Sequence, residues 1–339
     1  MKKVKVQDAI GLALCHDISK VVPGEFKGVR FPRGHVIRSE DVQELLNLGK
    51  EHVYVMEEGA GEIHEDDAAV RIARAVMGEN LTYEGPREGK TTIKSTLKGL
   101  FKVNSPLLLQ INSIEEVTVP CLPNHFPVQA GERVAAGRVI PLMIKEEKIE
   151  RVEELCRSQG PVFHVKPYRK LKVGIIITGN EVYKGRIQDK FWPVLQEKLA
   201  GYETELLGRI YCPDDVEMLD QAVNSYLSRD ADLIIMTGGM SVDPDDLTPG
   251  AIKRSGAEVV TYGTPAQPGN MFMLAYKGKT AFMGVPGAAI YHKTTVLDVF
   301  LPRVFAGDRI TREDVIKLGE GGLCRNCEVC RYPICYFGR

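Results

Sequence analysis

The second half of the chain alternates continuous apolar runs with amphipathic stretches. "LKVGIII" (171–177) and "ADLIIM" (231–236) are apolar throughout, as expected of parallel strands buried on both faces. Between them, residues 214–230 have a helical spacing of apolar side chains, at Val216, Leu219, Val223 and Tyr226. This alternation predicts an α/β fold: a mostly parallel open sheet with helices on both faces.

The pattern divides the chain into four predicted parts. Residues 1–57 form a small α+β module, in which Gly49 ends a helix, and residues 58–168 form a mixed helix plus β-rich module. Residues 169–309 form the α/β domain, and residues 310–339 form a cysteine-rich tail. The α/β domain is therefore preceded by β-rich α+β modules.

Charge and hydropathy exclude two classes of protein. The 339 residues include 44 Lys plus Arg and 45 Asp plus Glu, for a net charge of −1, which argues against a general nucleic-acid binder. No apolar run approaches the ~18 residues that a membrane span needs. Because Asp8 and Asp17 interrupt the first segment, no signal-length apolar core is present. We expect a cytoplasmic protein.

Two predicted strands end in the same dipeptide. Thr178-Gly179 and Thr237-Gly238 each follow a buried run directly, and Gly239 continues the second turn. In an open parallel sheet, ligands bind at the carboxyl edge. The threonine hydroxyls and the glycine N–H groups are therefore expected to bind an oxyanion there. The alternative is two tight connections with no ligand.

Carboxylates crowd the same predicted edge, at Glu181, Asp189, Asp214, Asp215, Asp243, Asp245 and Asp246. Carboxylates repel an anion, and a bridging Mg²⁺ resolves that conflict because it binds both carboxylates and phosphate oxygens. The alternative is that Asp243 and Asp245 are solvated turn residues and Asp246 caps local backbone. Two more loops with Pro-Gly, at Pro268-Gly269 and Pro286-Gly287, flank this edge.

The order of these motifs resembles a known family. "TGNEV", "GRIQD", "PDD", "TGGMSVDPDD", "QPGN" and "GVPG" make residues ~170–307 similar to the molybdopterin-binding domain of molybdopterin molybdenumtransferases and molybdopterin adenylyltransferases. "VQDAIGLALCHDI" and "GERVAAGRVIPLMI" resemble additional modules of the molybdenumtransferases. The resemblance implies binding of molybdopterin or its adenylylated form, a role in molybdenum cofactor biosynthesis, and a homodimer.

The resemblance also implies roles for single residues. The expected catalytic residues are Asp189, Asp215 and Asp246, and the expected Mg²⁺ ligands are Asp246 and Glu181. The expected ligand-binding residues are Thr178, Gly179, Glu181, Thr237, Gly238, Gly239, Ser241, Pro268, Gly269, Pro286 and Gly287. Mg²⁺ would clamp the bridging phosphate and act on it as a Lewis acid.

Departures from the family pattern leave the activity open. Asn270 stands where the family has a lysine, and Ala288 stands where it has an asparagine. One candidate function is Mg²⁺-dependent insertion of molybdate with hydrolysis of the adenylate. The alternative is a non-catalytic molybdopterin carrier, chaperone or sensor for a recipient molybdoenzyme. A third is a nucleotide or nucleotide-sugar hydrolase built on the same domain, as in competence-damage-like proteins.

The end of the chain contains a cysteine cluster outside that resemblance. The spacing C-x2-C-x2-C-x4-C is formed by Cys324, Cys327, Cys330 and Cys335. We expect these thiolates to bind a metal, either an iron–sulfur cluster such as [4Fe-4S] or Zn²⁺. Zinc sites usually separate two close pairs by a longer loop, whereas this spacing is closer to the ferredoxin-like pattern. The alternative is a tail with free thiols.

Overall fold

The computed structural model describes residues 1–22, 26–55, 61–241, 243 and 246–339. The chain divides into an N-terminal unit (Met1–Leu97, Lys102–Leu122, Gln129–Val165) and a C-terminal unit (Lys98–Phe101, Pro123–Val128, Lys166–Arg339). Residues 310–339 belong to the same unit as the large sheet; the predicted division into four parts stays a prediction. Within the described ranges, no helix is long and apolar enough to cross a bilayer.

The first half of the chain is rich in short antiparallel strands. Its strands are β1 (Lys2–Lys5), β2 (Ile18–Val22), β3 (Phe26–Phe31), β4 (His52–Val55), β5 (Glu62–His64), β6 (Leu81–Arg87), β7 (Lys90–Ser95), β8 (Gly99–Val103), β9 (Val117–Thr118), β10 (Phe126–Val128), β11 (Arg133–Val139), β12 (Met143–Lys145) and β13 (Phe163–Pro167). Its helices are α1 (Asp41–Asn47), α2 (Glu65–Val76), α3 (Ser105–Asn112) and α4 (Glu146–Gln159), and a 3₁₀ turn covers Val6–Asp8. Antiparallel pairs include β1 with β4, β2 with β3, and the four-stranded sheet β6-β7-β11-β9.

The second half contains the α/β domain. Its strands are β14 (Leu171–Thr178), β15 (Thr204–Cys212), β16 (Leu233–Thr237), β17 (Glu258–Tyr262), β18 (Met273–Lys277) and β19 (Thr280–Val285). Its helices are α5 (Asn180–Tyr183), α6 (Phe191–Leu199), α7 (Val216–Leu227), α8 (Thr248–Arg254), α9 (Ala288–Tyr291), α10 (Val296–Phe305) and α11 (Arg312–Ile316), followed by a 3₁₀ turn at Lys317–Gly319.

These six strands form one sheet in the order β15-β14-β16-β19-β18-β17. The first four strands are parallel, and β18 is antiparallel to both of its neighbours. The predicted mostly parallel open sheet is therefore confirmed.

Both faces of the central strands are covered, which explains their continuous apolar sequences. In β14, Ile175 and Ile177 pack in one core with side chains of α6 and α10, and Ile176 packs in a second core with side chains of α7 and α8. All five side chains of β16 are buried. Successive side chains of a strand point to opposite faces of the sheet. Every position of a strand that is covered on both faces is therefore buried and favours an apolar residue.

One close contact fixes α7 against the sheet. The Tyr226 hydroxyl donates a hydrogen bond to the Ile175 carbonyl at 3.1 Å, which holds the ring against β14. A Cβ atom on Gly174 would lie 2.5 Å from this ring. A side chain at residue 174 therefore cannot be accommodated without moving the helix.

We expect Gly174→Ala to lower the free energy of unfolding by about 1–3 kcal/mol, because it overpacks this contact. The measurement is chemical denaturation followed by circular dichroism. Gly201→Ala is the matched control, since the nearest atom to a Cβ there is the Lys198 carbonyl oxygen at 3.8 Å. Equal stabilities of the two variants would show that α7 does not pack as described.

Candidate functional site

The parallel strands of the large sheet end together at one edge. The register pairs Thr178 with Cys212, and it pairs Thr237 with both Ile177 and Val285. The loops that follow β14, β15, β16 and β19 therefore leave the sheet side by side. The turn between β17 and β18 opens at the same edge, because β18 begins at Met273, opposite Gly284. The structure brings together at this edge all four loops that carry the expected oxyanion and Pro-Gly motifs.

The two threonines at the ends of β14 and β16 differ in their hydrogen bonding. Both are buried, and the Thr178 hydroxyl donates to the Thr237 carbonyl at 3.1 Å. That hydroxyl thus has its partner inside the chain. The Thr237 hydroxyl oxygen is also buried, but it has no partner among the described residues. Buried hydroxyls normally have a partner, so Thr237, like Thr264 in the turn between β17 and β18, has unused hydrogen-bonding capacity among the described residues.

The turn after β16 lies closely over the end of β14. Gly238 and Gly239 have φ values of +80° and +51°, in the left-handed region that favours glycine. A Cβ atom on Gly238 would lie 2.4 Å from the Thr178 carbonyl oxygen. Thr248, in the first turn of α8, donates from its hydroxyl to the Gly238 carbonyl at 2.8 Å. Glycine at residue 238 is therefore required by the turn itself, whether or not a ligand approaches it.

The turn after β14 is already occupied by groups of the chain. The Gly179 N–H donates to the Cys212 carbonyl at 3.2 Å, and the Asn180 N–H donates to the Asp214 carboxylate at 3.0 Å. These two amides, which include one of the expected oxyanion donors, are therefore engaged. Glu181 is exposed, and its carboxylate lies beside Gly179. Of this turn, Glu181 is the group most accessible to a ligand or a metal ion.

Asp189 and Asp215 each bind the backbone at the start of a helix. The Asp189 carboxylate accepts from the Phe191 N–H at 2.7 Å and from the Tyr211 hydroxyl at 3.0 Å. Asp215 is the N-cap of α7 and accepts from the Met218 N–H at 2.8 Å. Each carboxylate retains further lone pairs, so these local roles leave room for a second partner.

Asp246 stabilises its own loop. Its carboxylate accepts from the Asp243 N–H at 2.9 Å, which is the local cap expected from the alternative interpretation. Ser241 is exposed, and its carbonyl accepts from the Tyr262 hydroxyl at 2.9 Å. Burial and, secondly, the Asp246 carboxylate raise the pKa of Tyr262, which keeps this hydroxyl protonated as a donor. Asp245 lies outside the described residues.

The remaining expected residues form the other loops of the edge. The Pro268 carbonyl accepts from the Val296 N–H at 3.3 Å, and a Cβ atom on Gly269 (φ +103°) would lie 3.3 Å from that nitrogen. This loop is thereby held on the N-terminus of α10. Pro286 and Gly287 precede α9, and a Cβ atom on Gly287 would meet nothing within 4 Å. Gly287 thus lies at an open part of the edge.

Two residues hold this edge together through contacts that the sequence did not indicate. Thr248 secures the turn at Gly238, and Tyr262 secures Ser241. Tyr262 could have been found from its position as the last residue of β17, because strands that run in the same direction end at the same edge of a sheet. Thr248 lies two residues after the end of "TGGMSVDPDD", but nothing in that spacing shows which carbonyl its hydroxyl meets.

Metal ligands do not converge within the described part of the chain: no group of three or more His, Cys, Asp or Glu side chains there lies close enough to hold an ion. Mg²⁺ binds proteins through one or two carboxylates together with ligand phosphates. Glu181 and Asp246 therefore remain expected Mg²⁺ ligands from the sequence pattern alone.

An open α/β sheet with glycine turns and hydroxyls at its carboxyl edge defines the class as a ligand-binding α/β domain. Residues 174–306 match the family described as "Probable molybdopterin binding domain", and this part of the chain is a domain of that family. Residues 3–57 match a second family, described only as a domain of unknown function. The resemblance of the α/β domain is thus confirmed.

Individual relatives match parts of the chain. The molybdopterin molybdenumtransferase of Synechococcus elongatus is 25% identical over 194 residues, which cover 54% of this chain and 47% of that protein. A CinA-like protein of Mycobacterium marinum is 32% identical over 83 residues, 24% of this chain and 20% of that protein. The chain thus spans half or less of these relatives. The tungsten cofactor synthesizing protein MoaB of Pyrococcus furiosus has 18% identity and a TM-score of 0.35, over 42% of this chain and 100% of that one.

Asp215 provides a test of the capping contact at the start of α7. We expect Asp215→Ala to lower the free energy of unfolding by about 1 kcal/mol, because α7 loses its N-cap, whereas Asp215→Asn keeps the cap and most of the stability. Thermal denaturation of both variants measures this. An Asp215→Ala variant as stable as the parent would contradict the capping contact.

Proposed function

We propose that the carboxyl edge of this sheet binds molybdopterin, or its adenylylated form, in molybdenum cofactor biosynthesis. The observation that carries the proposal is the buried Thr237 hydroxyl, which has no partner among the described residues and stands at the first residue of the glycine turn. A buried hydroxyl without a partner is costly, by about 1–3 kcal/mol, and a ligand phosphate oxygen would remove that cost. The family of the domain supports the identity of the ligand.

In this proposal the phosphate tail lies over the turn from Thr237 to Ser241. The glycines allow the backbone of that turn to approach an anion without obstruction. Pro268, Gly269, Pro286 and Gly287 belong to the loops on either side, where the rest of the ligand would lie.

A second candidate function is Mg²⁺-dependent insertion of molybdate with hydrolysis of the adenylate. Its support is the number of carboxylates at this edge, with lone pairs beyond those used in caps, at Glu181, Asp189, Asp215 and Asp246. Glu181 and Asp246 would hold Mg²⁺, which would supply charge neutralisation at the bridging phosphate. Asp189 and Asp215 would orient the reacting groups from the ends of the neighbouring loops.

The carrier alternative has support of its own. Asp189, Asp215 and Asp246 each have a structural partner, so their presence does not require catalysis. Asn270 and Ala288 replace a cation and an amide of the catalytic family pattern. In the carrier form, the protein would bind molybdopterin for a recipient molybdoenzyme without releasing adenylate. A homodimer and a cytoplasmic location complete the proposal and stay predictions.

The binding test replaces Thr237 by valine, which keeps the shape of the side chain and removes the hydroxyl. We expect about tenfold weaker binding of molybdopterin, corresponding to about 1.4 kcal/mol, with no loss of stability, because the hydroxyl has no partner to lose within the described chain. Anaerobic fluorescence titration measures the affinity.

Thr280→Val is the matched control for that test. The Thr280 hydroxyl donates to the Ala231 carbonyl at 2.7 Å at the opposite, amino edge of the same sheet. This variant should lose stability and keep its affinity. Unchanged affinity in Thr237→Val would overturn the proposed binding site.

Release of adenylate separates the two candidate functions. With adenylylated molybdopterin, Mg²⁺ and molybdate, an insertase releases AMP, and Asp246→Asn should abolish that release while the fold survives, because asparagine still accepts from the Asp243 N–H. Chromatographic quantification of AMP is the measurement. A parent protein that binds the ligand and releases no AMP would favour the carrier.

A further inference from the structure

The cysteine-containing segment is anchored to the C-terminal unit on both sides of its cysteines. On the entry side, the Gln267 N–H donates to the Gly322 carbonyl at 2.7 Å, and the Cys324 N–H donates to the Gln267 carbonyl at 2.8 Å. On the exit side, Phe337 is 2% exposed and belongs to the domain core. A segment held in this way presents its thiols from a fixed backbone.

The Tyr332 side chain anchors the middle of the segment. Its hydroxyl donates to the Asp298 carbonyl in α10 at 3.0 Å, and its ring packs against Phe337. The Arg339 guanidinium lies over the Tyr332 ring and donates to the Pro333 carbonyl at 3.1 Å. Cys330 and Cys335 therefore flank a fixed point.

All four cysteine residues line one cavity of about 310 Å³, whose walls include Tyr332 and the segment from Tyr291 to Thr294. Three of the cysteines are exposed, so the cavity is open to metal entry from solvent. Four soft ligands around one open cavity are the donor set of a thiolate-bound metal centre.

Two of the four sulfurs have hydrogen-bonding neighbours. The Asn326 N–H donates to the Cys324 sulfur at 3.4 Å, and the Thr294 hydroxyl lies 3.1 Å from the Cys330 sulfur. Hydrogen bonds donated to sulfur stabilise the thiolate and tune a bound cluster. Arg331, Lys293 and one carboxylate, Glu328, also line the cavity. The Lys293 ammonium is paired with Glu197 at 3.3 Å, so Arg331 is the cation that would offset part of the negative charge of a tetrathiolate centre.

We propose that Cys324, Cys327, Cys330 and Cys335 hold an iron–sulfur cluster in this cavity. A tetrahedral zinc ion, at about 2.3 Å from each sulfur, would draw the four sulfurs within about 4 Å of one another and leave no space between them. The four cysteines line one cavity, but no three of them lie close enough together to hold a single ion, so a polynuclear cluster, which is wider than one ion, fits them better. Each cysteine loses its proton as its sulfur binds iron.

The first test measures metal content after anaerobic purification and after reconstitution with ferrous iron and sulfide. We expect a brown protein with about four irons and four sulfides per chain. Cys327→Ser and Cys330→Ser should each lose the visible absorbance. Cys121→Ser, which changes a half-buried thiol of the N-terminal unit, should retain it.

The second test uses Thr294→Val, which removes the hydroxyl next to the Cys330 sulfur while all four ligands remain. We expect the cluster to assemble and its reduction potential to become more negative, because one hydrogen bond to sulfur is lost. A potentiometric titration monitored by visible and electron paramagnetic resonance spectra measures the shift. An unchanged reduction potential would show that the Thr294 hydroxyl does not donate a hydrogen bond to a sulfur ligand of the cluster.

Three results would overturn the proposal: one zinc per chain, a protein that takes up no iron, or absorbance that survives both cysteine substitutions. These outcomes are independent of the molybdopterin proposal. Cys327→Ser should bind molybdopterin as the parent does, so loss of the cluster and loss of the ligand site are separately visible.

Discussion

Burial of both faces of β14 and β16 is the constraint on which the rest of the α/β domain depends. Every side chain of β16 is covered, so neither face of the sheet there is available for a ligand. Polar groups can then appear only where the strands end, and parallel strands end together. The glycine turns, the threonines and the aspartates are thus concentrated at one edge as a consequence of how the core is packed.

At that edge, structural and ligand-binding roles overlap. Asp215 caps α7, and Asp246 accepts a hydrogen bond within its own loop. Gly238 lies where a side chain would clash with Thr178. Each of these residues is therefore needed by the fold itself. Thr237 differs, because its buried hydroxyl has no use in the described structure. A residue with a structural partner would be retained in a carrier as well as in an enzyme, so these residues do not distinguish the two functions, and the binding proposal uses the Thr237 hydroxyl instead.

The cysteine-containing segment is packed against the C-terminal unit and is not a free tail. Phe337 extends the core of the domain, and Tyr332 bonds to α10, so ordering of this segment is linked to the sheet. Because Thr294 follows α9 and lies against Cys330, the cavity adjoins the segment that leads away from Pro286 and Gly287. A metal centre there would adjoin the segment that begins with the loop after β19, at the carboxyl edge of the sheet.

The sequence by itself determined the open parallel sheet, since continuous apolar runs and helical periodicity are local properties, and it determined which loops follow the strands. It also determined the family of residues 174–306 through the order of their motifs. Only the tertiary structure decided which groups are engaged: Thr178 and Thr237 are equivalent in sequence, yet one donates across to the other's carbonyl. The Gly179 N–H, which was expected to bind an anion, donates to the Cys212 carbonyl. Hydrogen-bond partners are set by distances between strands and loops far apart in the chain, and local sequence does not encode those distances.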